Sequence, residues 1–257
     1  MPKISLKKIN SLKKNKIGIS ALTSYDASFA KLADNCGIDI ILVGDSLGEV
    51  IQGHPNTHSV TMNDMCYHTK IVSRAIKKAF LIADMPKNSY KTKNQALKNA
   101  KKLVAKNMAD MVKIEFKEKD AEVIKYLITH KIPVCSHIGI LPQTIKNKSD
   151  YKKVGKTINE ENRLINEAIL TETLGSQILI VECIDEKVAK LISDKLNIPV
   201  IGIGSGNSCD GQIRVIYDLF EISFNGVPGF HKSKNIKTSP IKKILEKYII
   251  NTNQYKL

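Results

Sequence analysis

Tryptophan is absent from this 257-residue chain and aromatic residues make up only 5% of it. Ile, Leu, Val and Ala must therefore fill the interior. Arginine is nearly missing as well: only Arg74, Arg163 and Arg214 stand among 40 basic residues. Nucleic-acid readers favour arginine for bidentate contacts to phosphate and guanine. The formal net charge of +15 is therefore read as a solvated lysine surface rather than a nucleic-acid site, and no nucleic-acid partner is expected. The lysines are scattered, with many Asn and Ile beside them, as in the product of an AT-rich coding sequence. Their positive field still helps to attract anionic substrates.

The five cysteines, Cys36, Cys66, Cys135, Cys183 and Cys209, form no C-x-x-C pair and are odd in number. A disulfide framework or zinc site is not expected, and a reducing cytoplasm fits. No apolar run reaches the ~18 residues of a membrane span. Met1-Pro2-Lys3-Ile4-Ser5 lacks the apolar core of a signal peptide. A cytoplasmic location without membrane contact is expected.

What is present is a set of short apolar runs, each ending in polar residues. Ile40–Val43 leads into Gly44-Asp45-Ser46, Phe80–Ala83 into Asp84, and Met111-Val112 into Lys113 and Glu115. Ile132–Cys135 leads into Ser136-His137, Ile178–Val181 into Glu182, and Val200-Ile201 into Gly202-Ile203-Gly204-Ser205-Gly206. Continuous apolar runs mark buried parallel strands, and a barrel of eight βα units gathers its strand ends on one face. Eight strands are expected, near 17–22, 39–43, 79–83, 110–115, 132–136, 177–181, 199–203 and 212–217. Helices between them show i, i+3, i+4 patterns: Phe29, Leu32, Ala33 and Cys36; Met65, Val72, Ile76 and Ala79 near 62–78; Leu97, Ala100, Val104 and Met108 in 92–108. A further helix carries Leu164, Ile165, Ala168 and Ile169, and another follows Asp185 as N-cap with Val188, Leu191 and Ile192. The fold class is α/β, one (β/α)₈ TIM-barrel domain over 1–257, with a short N-terminal extension and a C-terminal amphipathic helix from Ser239 to Tyr248. A barrel of this kind typically takes about 250 residues. The loop from Gly44 to about Thr61 is long for a compact domain and is expected to cover an active site.

The strand-end residues bring chemistry. Asp45 and Asp84 repel each other in a dry pocket unless a cation lies between them, and all-oxygen ligation points to a hard ion such as Mg²⁺. The alternative is helix N-capping. Lys113 and Glu115, two apart on one strand, face the same way and are expected to form a partnered pair, a cation suited to a substrate carboxylate or else a structural salt bridge. His137 is a pocket candidate or a structural histidine. Burial among Val181 and Cys183 is expected to raise the pKa of Glu182 and make it a general base. His54, His58 and His68 match no zinc spacing. The glycine-rich 202–206 segment lacks P-loop features, and its glycines are read as allowing a close approach by a ligand or a neighbouring backbone.

These residues carry a resemblance. Thr23-Ser24-Tyr25-Asp26, Val43-Gly44-Asp45-Ser46-Leu47-Gly48, Gln52-Gly53-His54, Val60-Thr61-Met62, Tyr67-His68-Thr69 and Ala83-Asp84-Met85-Pro86 come first. Val112-Lys113-Ile114-Glu115, His137-Ile138-Gly139, Pro142-Gln143, Glu182-Cys183, Gly202-Ile203-Gly204 and Cys209-Asp210-Gly211-Gln212 follow. In this order they resemble the ketopantoate hydroxymethyltransferase family, from about Ser20 to Pro228. The resemblance implies a (β/α)₈ barrel that moves a hydroxymethyl group from 5,10-methylenetetrahydrofolate, its co-substrate, to 3-methyl-2-oxobutanoate (α-ketoisovalerate). It implies one Mg²⁺ per subunit at Asp45 and Asp84 with Glu115 close by. It implies keto-acid binding by Asp45, Ser46, Asp84, Lys113 and His137, a base at Glu182, and homo-oligomers, commonly decamers. The alternative is a related Mg²⁺-dependent lyase or mutase of α-keto acids on the same barrel. The chain departs from the family pattern at Phe116-Lys117 and Ala75, where glycine is usual, at Leu219-Phe220-Glu221 in place of Leu-Gly, and in the lysines of Tyr151–Thr157.

Overall fold

A computed structural model describes residues 2–145, 151–227 and 240–253. Its centre is a closed parallel barrel of eight strands in sequence order. These are β1 (Ile19–Thr23), β2 (Ile40–Val43), β3 (Phe80–Asp84), β4 (Met111–Glu115), β5 (Val134–Gly139), β6 (Ile178–Glu182), β7 (Val200–Ile203) and β8 (Gly211–Arg214), with β1 paired to β8. The described helices are α1 (Leu6–Lys14), α2 (Ala27–Asn35), α3 (Leu47–Val50), α4 (Met62–Ala75), α5 (Lys93–Leu103), α6 (Ala121–Thr129), α7 (Ile158–Thr173), α8 (Glu186–Lys195), α9 (Ile216–Leu219) and α10 (Pro240–Asn253). The tail helix is thus α10; Ser239 lies outside the described residues.

Strand alternation sorts the apolar residues into two cores. Ile40, Leu42, Phe80, Ile82, Met111, Cys135, Ile178, Ile180, Ile201 and Ile213 share the barrel interior with Ile9 and Leu12 of α1. The first helix therefore plugs the amino-terminal end. Ile41, Val43, Leu81, Ala83, Val112, Ile114, Val134, Leu179, Val181 and Val200 pack outward against the helices. In β2 to β7 both strand faces are buried, which is why the sequence reads there as continuous apolar runs, whereas β1 and β8 expose Ser20 and Arg214.

Several boundaries differ from the sequence expectation. β5 begins at Val134, just after Pro133, and continues to Gly139, so His137 is a strand residue. Its polar Ser136-His137 pair resembles a strand end in sequence, but Ser136 is satisfied by the Ser176 hydroxyl at 2.7 Å. β8 ends at Arg214, and Ile216–Leu219 is helical. In α2 the buried residues are Ala30, Ala33 and Asp34, while Leu32 is 50% exposed. Asp34 tips the helix inward because it accepts the backbone N–H groups of Lys77, Lys78 and Ala79. In α5 the buried residues are Ala96, Ala100 and Leu103, not Leu97, Val104 and Met108: the helix ends at Leu103. Leu191 and Ile169 are also exposed, whereas Val188, Ile192, Leu164 and Ala168 are buried as expected. The departure at Phe116 is a core residue, 2% exposed.

The departure at Glu221 shows strain. Beyond α9 the chain reverses: Glu221 N–H donates to Asp218 O at 3.1 Å and Ile222 N–H to Tyr217 O at 2.9 Å. Glu221 has φ +56°, the left-handed position after a helix end where glycine is preferred. For a side-chain-bearing residue that conformation costs about 1 kcal/mol. Glu221→Gly is expected to raise the thermal midpoint by about 2–4 °C in a melting experiment.

Candidate active site

Polar side chains replace apolar ones on the same inward parity at the carboxyl end of the barrel. Asp84 follows Ile82, Lys113 and Glu115 follow Met111, His137 follows Cys135, and Glu182 follows Ile180. All five are buried, with Asp45 beside them. They face a cavity of ≈ 440 Å³, except Glu115, which does not line it; Ser46, Glu49, Thr57 and Tyr151 add polar lining, and Leu42, Ile180, Ile203, Ile213 and Val215 an apolar floor. The 44–61 segment, which contains α3 and a short turn at Thr57–Ser59, supplies part of the wall as expected.

Neither aspartate caps a helix. Asp84 Oδ2 accepts the Asp45 backbone N–H at 3.0 Å, and its Oδ1 lies 2.8 Å from Lys113 Nζ. The caps of the neighbouring helices are Ser46 for α3 and Thr92 for α5, so the N-capping alternative falls. The expected Lys113–Glu115 pair is also corrected. Both side chains face inward, but Lys113 pairs with Asp84, while both Glu115 oxygens accept the Gln143 backbone N–H, at 3.0 and 3.2 Å. The loop after β5 reaches Glu115 first and turns it away from the lysine.

Electrostatics follow from burial. Asp45 is pushed up to about 8, first by burial and then by the Asp84 carboxylate. Glu115 is held well above the carboxylate range by burial and by Asp45. Burial works against the charge on Lys113, yet Asp84, Asp45 and Glu115 outweigh it and hold the ammonium above its ordinary value. Burial lowers His137 well below 6.5, helped by the Lys113 charge, so the ring is neutral. Its Nε2 lies 3.3 Å from Glu182 Oε2, without the geometry of a hydrogen bond. Burial also pushes Glu182 up to about 8, with Lys113 pulling the other way.

The backbone around Glu182 is held from three sides. Cys183 has φ +51°, a conformation that persists only when its surroundings enforce it. Its N–H donates to Ile203 O and its carbonyl accepts from Val154 N–H. Ser205 Oγ donates to Val181 O at 2.9 Å and accepts from Ile184 N–H at 3.0 Å. The glycine-rich 202–206 segment is thus a backbone clamp for β6. Gly139 (φ +96°) lies against the same strand end, where a Cβ would stand 2.3 Å from Glu182 O.

Among the described residues, no three His, Cys, Asp or Glu side chains converge as a metal-ligand cluster. His58 Nε2 lies 3.3 Å from Pro142 O and His68 Nδ1 2.7 Å from Tyr25 O, both structural contacts. The Asp45–Asp84 pair remains. Two buried, mutually repelling carboxylates suit Mg²⁺, which takes one or two carboxylates and keeps several waters. Ser46 Oγ lies 2.8 Å from Tyr25 OH. Sequence reasoning assigned no site role to Tyr25 or Gln143, which appear there only within the segments that carry the resemblance, or to Tyr90. A glutamine directly after a proline, a few residues beyond an apolar run, was the available signal for Gln143.

Charged, desolvated groups gathered at the carboxyl ends of a closed parallel barrel define a (β/α)₈-barrel enzyme. The model of the ketopantoate hydroxymethyltransferase family matches residues 3–256, and the chain belongs to that family. It is 45% identical over 249 residues to 3-methyl-2-oxobutanoate hydroxymethyltransferase of Buchnera aphidicola subsp. Acyrthosiphon pisum (strain 5A), covering 97% of this chain and 94% of that one. It is 39% identical to the enzyme of the same name from Nitrosococcus oceani (strain ATCC 19707), covering 100% and 98%. The chain is thus an enzyme of transferase type. Solved structures share the fold at low identity. An oxaloacetate acetylhydrolase bound to 3,3-difluorooxalacetate superposes with TM-score 0.65 at 12% identity, covering 98% of this chain and 87% of that one. A 2,3-dimethylmalate lyase of the PEP mutase/isocitrate lyase superfamily gives 0.60 at 12%, with the same coverages.

A raised Glu182 makes stability depend on pH. The folded state holds this proton up to about 8, against 4.5 ordinarily. Folded protein therefore binds more protons than unfolded protein between those values, and stability falls as pH rises through that window. Glu182→Gln removes the titration. With divalent cations chelated, its thermal midpoint relative to the wild type is expected to climb from pH 5 to pH 9, as read by melts at several pH values.

Proposed function

We propose that the enzyme transfers a hydroxymethyl group from 5,10-methylenetetrahydrofolate to 3-methyl-2-oxobutanoate, giving 2-dehydropantoate, in the first committed step of pantothenate biosynthesis. The observation that carries the reading is Glu182. It is a buried carboxylate of raised proton affinity that lines the same cavity as Asp45, Asp84 and Lys113. The names of the relatives support the substrate.

In this reading Asp45 and Asp84 hold one Mg²⁺ per subunit. Glu115, which accepts the Gln143 backbone N–H, would stand close by as the third carboxylate. When bound, the ion supplies Lewis-acid polarisation of the keto group. Lys113 offsets the negative charge of the substrate carboxylate and of the developing enolate oxygen. Ser46, held by Tyr25, orients the carboxylate, and neutral His137 lines the pocket beside Glu182. Glu182 removes the proton from the carbon next to the carbonyl. That carbon then attacks the one-carbon unit of the folate, forming the new C–C bond, with water supplying the hydroxyl oxygen and tetrahydrofolate leaving. The apolar floor of Leu42, Ile180, Ile203 and Ile213 suits the branched alkyl group of the keto acid.

A homo-oligomer, with a decamer as the family expectation, belongs to the same reading. No described helix is long and apolar enough to cross a membrane, in keeping with a cytoplasmic location.

Purified protein is expected to form 2-dehydropantoate from both substrates with Mg²⁺ and to lose that activity on chelation. Product from the keto acid by cleavage, without folate, supports the lyase or mutase alternative instead. A general base is worth about 10²–10⁴ in rate, so Glu182→Gln should lose about that factor while still binding the keto acid in a calorimeter. The wild-type kcat/KM should rise with pH as Glu182 gives up its proton, with bound cation drawing that limb below pH 8.

A further inference from the structure

Gln143 sits in a short turn, Pro142–Thr144, in the loop that follows β5, and is 5% exposed. Its side-chain Nε2 donates to Asp45 Oδ2 at 2.8 Å and to Met85 O at 3.0 Å. Its Oε1 accepts from Tyr90 OH at 2.8 Å. Its backbone N–H donates to both Glu115 oxygens. Only one sense of the amide satisfies this set, because the –NH₂ group faces two acceptors and the oxygen faces a hydroxyl. A single residue therefore touches two buried carboxylates that repel each other, and ties them to the end of β3 and to Tyr90. Without the amide, Asp45 has no side-chain donor among these contacts, and repulsion from Asp84 is free to turn it.

We infer that Gln143 is a positioning residue: its amide sets the rotamer of Asp45, and its backbone N–H sets that of Glu115, so that the carboxylates meet a divalent cation in a fixed arrangement. The inference rests on the metal reading proposed above. The contact works through Asp45 and not through the reacting atoms. Partners of this kind, hydrogen-bonded to a metal-binding carboxylate, typically change metal affinity by about 10–100-fold when removed.

The test uses the full-length protein with Mn²⁺ as the probe, its free fraction read by electron paramagnetic resonance. Gln143→Met keeps the side-chain volume and removes the donors. Its Mn²⁺ dissociation constant should rise about 10–100-fold, with unchanged circular dichroism. Tyr90→Phe removes only the hydroxyl that fixes the amide and should weaken Mn²⁺ a few-fold. In both variants the loss of turnover should be partly restored by raising Mn²⁺, which a merely structural defect would not allow. Wild-type Mn²⁺ affinity in folded Gln143→Met overturns the inference. If Gln143→Met does not fold, unchanged affinity in Tyr90→Phe overturns it. If wild-type protein binds no Mn²⁺ at all, the metal reading itself falls and takes this inference with it, an outcome distinct from the other two.

Discussion

Among the described residues, the Lys113 ammonium is the one cation buried with the carboxylates Asp45, Asp84, Glu115 and Glu182, and the organisation of the barrel mouth turns on that imbalance. Burying an ion is expensive unless it is paired, and removing one partner leaves the other uncompensated. The 2.8 Å contact with Asp84 meets part of the requirement. The rest is met by hydrogen-bond donors and by raised proton affinity: Asp45 accepts from Gln143, Glu115 accepts the Gln143 backbone, and Asp45, Glu115 and Glu182 all favour their neutral forms. A site in this condition has a standing affinity for additional positive charge, which is the physical argument for a divalent cation.

The fold holds this charge in place through parity. Strands buried on both faces would be apolar throughout, and the lower ends of β2 to β7 are. One inward position further up, the same alternation delivers Asp84, Lys113, His137 and Glu182 to a common space. The amino-terminal helix seals the opposite end with Ile9 and Leu12, so the charged end is the one open to ligands. Around Glu182, the left-handed backbone at Cys183 and the Ser205 clamp fix a side chain whose job depends on its direction. The strain is local and is offset by strand pairing on both sides.

The solved structures that share the barrel, a 2,3-dimethylmalate lyase and an oxaloacetate acetylhydrolase among them, are only 12% identical to this chain. They establish the barrel alone. What separates chemistries on one scaffold is the set of residues at the strand ends and the loops behind them, and here those are read from this chain's own geometry.

The sequence by itself determined the barrel, the eight strands to within a few residues, and the identity of the mouth residues. Each of these depends on local pattern: apolar runs that need burial on both faces, and polar residues that interrupt them at one end. Helix faces were less legible. Leu32 and Leu191 fit an apolar stripe but are exposed; in α2 the rotation is set by Asp34, which accepts the backbone N–H groups of Lys77, Lys78 and Ala79. The extent of β5 was hidden because Ser136 and His137 look like a strand end until Ser176 and the barrel interior accept them. Tertiary structure alone decided who pairs with whom. Lys113 and Glu115, two residues apart, are parted by Asp84 from a neighbouring strand and by Gln143 from a loop 28 residues on. Such partnerships depend on which groups reach a desolvated charge first, and that is a property of distances in space which spacing along the chain does not carry.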